Sequence, residues 1–277
     1  MKFTEILKRI FVERCCVICG EPISYDVKEP FCEICVKDWQ RFLKVKCRKC
    51  GREQGACSCL PSKARKINHS MASWSVFYDA GANGEINRLF TYLKRRYDRG
   101  VIDLCTERMK DNLLVLCKNR GIDYKEFAVT YAPRNGKNVK KYGFDQSKKL
   151  AQSLAKKLDI KAVKAFKNIG KTEQKGLNKQ ERFKNALESY KFIDGSIKEN
   201  TKLFIVDDIM TTGATLFACS FHLYKNGAAS VVPVVFAKDN YNSKGDKNNV
   251  KRNSKYNFTG AVKGFVRNGS QRQNSYC

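Results

Sequence analysis

Lys202-Leu203-Phe204-Ile205-Val206-Asp207-Asp208-Ile209-Met210-Thr211-Thr212-Gly213-Ala214-Thr215-Leu216 is the stretch whose reading decides the fold. Leu203 to Val206 is too short for a helix and reads as a strand buried on both faces. From Leu216 the spacing turns helical, with Leu216, Cys219, Leu223 and Tyr224 on a common face. Thr211 to Thr215 is therefore a strand-to-helix turn at the carboxyl end of a central strand, where open α/β sheets place their ligands. Gly213 permits a positive φ or a close backbone approach. Unpaired amides at a helix N-terminus suit a phosphate, and Thr211, Thr212 and Thr215 add hydroxyl donors. Asp207 and Asp208 repel a phosphate, so they suit sugar hydroxyls or a Mg²⁺ that the ligand brings with it. A phosphate cradle beside an acidic, hydroxyl-binding pair describes a ribose 5-phosphate site. The plainer alternative, a capped helix after a core strand, leaves two costly carboxylates unexplained.

This segment resembles the phosphoribosyl pyrophosphate (PRPP) signature of type I phosphoribosyltransferases: apolar strand, Asp-Asp, Thr-Thr-Gly-Ala-Thr. The resemblance implies that Asp207 and Asp208 hold the ribose hydroxyls, and that Thr211, Thr212, Gly213, Ala214 and Thr215 hold the 5-phosphate. It also implies Mg²⁺ with PRPP.

Outward from that stretch, 277 residues allow one α/β domain and a small module. The formal net charge is +27. It stays at about +23 if eight thiolates hold two Zn²⁺. Such a field favours polyanions, or it is a lysine-rich surface that keeps the chain soluble. No segment reaches the roughly 20 apolar residues that span a bilayer. Charged residues from Lys2 to Arg14 break up any signal-peptide core, so the expected location is cytoplasmic, where thiols stay reduced.

Nine of the 13 cysteines lie between residues 15 and 59. Cys16-x-x-Cys19 with Cys32-x-x-Cys35, and Cys47-x-x-Cys50 with Cys57-x-Cys59, form two pairs of knuckles. Each pair offers four thiolates, which fits tetrahedral Zn²⁺ in a closed, structural site. Interleaved pairing of the knuckles would satisfy two metals equally well, and Cys15 competes with Cys16 as a ligand. So small a module buries little core, and metal affinity supplies its folding free energy. Lys44, Lys46, Arg48, Lys49 and Arg52 cluster near Trp39 and Phe42, a mixture that suits single-stranded nucleic acid or a basic scaffold with Trp39 in its core.

Residues 61–73 read as a polar, basic linker, and Trp74 to Tyr78 as a short strand. Helices are expected from Gly84 to Tyr97 and from Val101 to Cys117, with Lys94-Arg95-Arg96 between them as a solvated face or a helix terminus. Cys105, Cys117 and Cys219 fall on apolar helical faces and read as core. Phe127 to Tyr131 is a strand ending at Ala132-Pro133. A basic loop with Arg134, Lys137, Lys140 and Lys141 follows, placed to bind pyrophosphate, and then an amphipathic helix through Leu150 and Leu158.

This part is similar to the ComF family of competence-associated, phosphoribosyltransferase-like proteins, which carry N-terminal cysteine knuckles and an Arg-Gly-Phe-Asn-Gln motif. Here the motif reads Tyr142-Gly143-Phe144-Asp145-Gln146, with Tyr for Arg and Asp for Asn. Lys171-Thr172, Gln174, Leu177, Glu181-Arg182 and Asn185 resemble the family's mobile loop, a lid that excludes water from the reacting sugar. The resemblance covers roughly residues 15–237 and assigns Asp208 and Lys171 to catalysis, with Arg134 and Lys141 towards the pyrophosphate.

The expected architecture is an α/β chain: an N-terminal zinc ribbon module with two four-cysteine sites (1–60) and a linker (61–73), then a Rossmann-like type I phosphoribosyltransferase domain with a mainly parallel sheet (74–237). A basic, largely disordered tail follows (238–277). Implied partners are PRPP and either single-stranded DNA or a helicase of the competence machinery, with no membrane span. The alternative to an enzyme is a non-catalytic PRPP-sensing adaptor for DNA uptake.

Overall fold

The structure, a computed structural model, describes residues 14–24, 27–61, 63–68, 71–78, 86–170 and 186–240. Its centre is a four-stranded parallel sheet in the order β1-β6-β5-β2. These are Ser73–Tyr78 (β1), Phe127–Tyr131 (β2), Lys202–Met210 (β5) and Ser230–Asp239 (β6). Residues 161–163 extend the β2 edge by a parallel bridge between Val129 and Ala162. Phe166–Asn168 (β3) and Tyr190–Phe192 (β4) form a separate antiparallel pair.

The helices are Glu33–Leu43 (α1), Asn87–Arg95 (α2), Arg99–Arg120 (α3), Gly136–Tyr142 (α4), Gln146–Leu158 (α5) and Ala214–Lys225 (α6). Their starts and stops follow from local chemistry. Asp98 caps α3 by accepting from Val101 N–H, and α3 stops at Gly121, whose φ of 61° is left-handed. Asp145 caps α5 in the same way through Lys148 N–H.

The continuous apolar run of β5 is explained by burial on both faces. Phe204 and Val206 pack with Val232, Val234 and Phe236 against α1, α2, α3 and α5, whereas Leu203 and Ile205 pack with Val231 and Val235 against α6. All four β5 side chains are fully buried. Cys105, Cys117 and Cys219 are core residues, as their helical positions predict.

Two expectations change in extent. The strand β5 does not stop before the acidic pair but continues through it to Met210, because β6 keeps pairing as far as Met210 opposite Lys238. The polar stretch 61–73 is not a solvated connector along its whole length: Ala64 and Ile67 are fully buried against the α6 side of the sheet. The tail expected from residue 238 begins later, because β6 runs on to Asp239 and buries Lys238 and Asn240; the lid segment 171–185 and residues 241–277 lie outside the described residues.

Candidate active site and metal centres

The turn after β5 adopts the conformation that its residues predict. Gly213 has φ +75° and caps α6 in the left-handed region. A Cβ placed there would meet Ala64 N at 2.8 Å and Ala64 Cβ at 2.9 Å. Glycine is therefore required twice, by backbone sign and by the close approach of the 64–66 turn. The cleft is lined by Asp207, Met210, Thr211, Thr212, Ala214 and Thr215, encloses a cavity volume of about 80 Å³ and opens to solvent. Within the turn, Ala214 N–H meets Thr212 Oγ1 at 3.3 Å.

The acidic pair is held by α5 and α2. Ser147 Oγ donates to Asp207 Oδ1 at 3.0 Å, and Gln146 Nε2 lies 3.5 Å from Asp208 Oδ2. Lys94 Nζ is 3.7 Å from the same Asp208 oxygen. Each carboxylate also accepts the next backbone amide, Asp208 N–H at 2.9 Å and Ile209 N–H at 2.8 Å. Burial, and after it the neighbouring Asp208 charge, raise the Asp207 carboxyl to about 8, against the opposing pull of Asp208 N–H, Ser147 and Lys94. Burial thus favours the protonated form of Asp207 until a cation or hydroxyl donors arrive.

Arg134 follows β2 and feels the Asp208 charge, whereas Lys137, Lys140 and Lys141 lie in the short helix α4 (Gly136–Tyr142) rather than in the loop that the sequence suggests, because Asn135 caps a helical turn there. The Arg134 guanidinium donates to Lys94 O at 2.7 Å and lies 4.4 Å from the centre of the Tyr142 ring. Lys141 Nζ is 5.3 Å from that ring, and the residue is exposed. Asp145 is tied into the backbone: its two oxygens accept Arg134 N–H at 2.9 Å and Lys148 N–H at 3.1 Å. It fixes the loop and caps the helix at once. Lys171 lies outside the described residues.

Sequence reading misses Lys94, Ser147 and Gln146 as supports of the acidic pair. In the sequence Lys94 belongs to a solvated basic run, whereas in the fold it is only partly exposed and ion-paired to Asp208. Gln146 and Ser147 are legible in principle, since they are the first residues of the helix that follows the Gly-Phe-Asp motif.

In the cysteine-rich module the pairing is consecutive rather than interleaved. Cys16, Cys19, Cys32 and Cys35 bring their sulfurs within 4.8 Å of one another, and so do Cys47, Cys50, Cys57 and Cys59. Zinc–sulfur bonds of about 2.3 Å give sulfur–sulfur edges of roughly 3.8 Å in a tetrahedron, which both sets fit. Cys19 and Cys32 are already 3.6 Å apart. The one-residue spacing of Cys57 and Cys59 does not prevent a four-sulfur set. Cys15 falls outside both, in a bridge to Pro22. In each set burial raises the first thiol, but the amides of its knuckle outweigh it and bring Cys16 and Cys47 down to about 7.

Trp39 and Phe42 do not form a surface platform. Trp39 packs on Phe31, Phe42 and Phe236 at centroid distances of 5.6, 5.5 and 6.4 Å, inside the core shared with α2 and β6. Lys46, Lys49 and Arg52 reach solvent, as Lys44 and Arg48 do in part or whole, so the basic face exists without these two stacking rings.

The family described as Phosphoribosyl transferase domain matches residues 139–267, just under half of the chain. Among solved structures, a hypoxanthine phosphoribosyltransferase from Staphylococcus aureus is similar at 20% identity and TM-score 0.32, covering 56% of this chain and 71% of its own. An adenine phosphoribosyltransferase from Thermoanaerobacter pseudethanolicus is similar at 14% identity and TM-score 0.32, covering 55% and 85% respectively. No curated protein matches the chain. The chain thus carries an α/β phosphoribosyltransferase domain of type I with a parallel sheet, preceded by cysteine clusters compatible with a zinc ribbon. No helix among the described residues is long and apolar enough to cross a membrane.

Proposed function

We propose that the chain binds PRPP with Mg²⁺ and transfers its ribose 5-phosphate to a nitrogen acceptor. One observation carries this reading: a left-handed Gly213 turn, open at a helix N-terminus, directly follows a partly buried pair of carboxyls on the central strand. The 5-phosphate is taken by the amides and hydroxyls of Thr211 to Thr215. Asp207 and Asp208 accept hydrogen bonds from the ribose hydroxyls, and Asp207 gives up its proton as they dock. Mg²⁺ arriving with PRPP supplies charge that offsets the leaving pyrophosphate. Arg134, oriented by Lys94 O and the Tyr142 ring, and Lys141 face the pyrophosphate side, and Lys171 from the lid adds a further cation.

On the resemblance to ComF proteins, the process served is DNA uptake in natural competence, in the cytoplasm. A second reading, a non-catalytic PRPP-sensing adaptor that binds single-stranded DNA or a helicase partner, is favoured by Tyr142. Its ring covers one face of Arg134 where the family places another cation, leaving the cleft with one fewer charge for turnover.

Asp207→Asn combined with Asp208→Asn should abolish calorimetric binding of PRPP·Mg²⁺ while leaving the circular dichroism unchanged. Unaltered affinity refutes the site. Pyrophosphate release with a panel of nitrogen bases then separates the two readings: release supports the transferase, and binding without release supports the adaptor.

A further inference from the structure

Lys238 is a lysine in an unusual place, 3% exposed near the carboxyl end of central strand β6. Its Nζ donates to Cys59 O at 2.6 Å and lies 3.7 Å from Cys57 Sγ. The rings of Trp74 and Phe77 flank it, with centroids 4.7 and 4.9 Å away. Two residues on, the Asn240 side chain accepts Arg48 N–H at 2.9 Å and donates to Lys46 O at 3.0 Å. The end of β6 thus grips the second cysteine set from both sides. An isolated ammonium this deep is costly, and one carbonyl with two ring faces offsets only part of that cost. Four thiolates around a divalent cation carry a net charge of about −2, which is the counterion such a lysine lacks.

The same place touches the sugar-phosphate turn. Lys238 is the register partner of Met210, the residue before Thr211. Ala64, five residues after Cys59, packs directly on Gly213. We infer that Lys238 is the outer-sphere counterion of a metal held by Cys47, Cys50, Cys57 and Cys59, and that this metal, through Lys238 and through Ala64 beside Gly213, positions the Thr211–Thr215 turn. The second half of this inference rests on the sugar-phosphate reading of that turn.

The test uses the full chain loaded with Co²⁺, whose thiolate charge-transfer band reports each site, in competition with a chelator. Lys238→Met should weaken one of the two sites by about 10–100-fold and leave the other unchanged. It should also shift the band of the weakened site, and Lys238→Arg should restore most of the loss. Equal affinity at both sites, or an equal loss at both, overturns the assignment. Cys50→Ser, which empties the second site through an exposed ligand, should weaken PRPP·Mg²⁺ binding at least threefold and speed hydrogen exchange in residues 207–216. Unchanged exchange there overturns the coupling, and this measurement decides the matter if Lys238→Met does not accumulate as soluble protein. If wild-type protein binds no PRPP, the sugar-phosphate reading falls while the cobalt competition still decides the role of Lys238.

Discussion

The two cysteine sets are built from the same chemistry but joined to the sheet by different forces. The first set is attached mainly through apolar contact, with Phe31, Trp39 and Phe42 of its segment meeting Phe90 and Phe236 on the α2 side and one hydrogen bond from Arg88 Nη1 to Ile18 O at 3.1 Å beside it. The second is attached through polar contact: Lys238 and Asn240 reach out of β6 to thiolate, carbonyl and amide. An apolar joint is non-directional and scales with area, so it adds stability without fixing atoms to a fraction of an ångström. A polar joint is directional and costly when half made, so it transmits position. The joint beside the sugar-phosphate turn is the directional one. The molecule uses one module for stability at the sheet's face and its twin for placement at the carboxyl end of the sheet's central strands.

Three experiments break or sharpen that contrast. The largest effect is expected at the apolar joint. Trp39→Ala should cost about 3–5 kcal/mol of unfolding free energy, measured by urea titration, with PRPP affinity of the folded fraction unchanged. A large loss of affinity would show that the first module also places the turn.

Next comes the contact between the second module's segment and the turn. Gly213→Ala adds a Cβ 2.8 Å from Ala64 N in a left-handed residue. It should cost ~2–3 kcal/mol and, unlike Trp39→Ala, also weaken PRPP binding in calorimetry. Loss of stability with intact binding would mean that the turn takes its shape independently of residue 64.

The smallest effect lies in the acidic pair. Asp207 has a carboxyl raised to about 8 by burial and then by Asp208. A raised folded-state value favours folding below the unfolded carboxyl range and is lost as pH rises through about 8. Asp207→Asn should therefore behave like wild type near pH 4 and become more stable than wild type by ~1–2 kcal/mol at about pH 8–9. Thermal melts across that range check it. A flat difference would show that burial does not raise the Asp207 carboxyl in the folded protein. Neither cysteine joint should respond to this substitution, which makes it the control for the other two.

Much of the candidate site is written locally. The period of the β5 run, the two carboxyls, the glycine before a helical spacing and the two-residue gaps of the knuckles each express a short-range rule: strand burial, charge repulsion, backbone sign, ligand bite. They determined the α/β class, the strand-to-helix turn at Gly213 and the eight candidate metal ligands. What only the tertiary structure decided depends on residues distant in sequence. The consecutive pairing of the knuckles, Lys94 at Asp208, Ser147 at Asp207, Ala64 on Gly213 and Lys238 beneath Cys57 all join segments separated along the chain. A lysine in a basic run and a lysine at the end of a strand carry the same local signal whether solvated or buried. Only the packing around each reveals which anion it was placed to meet.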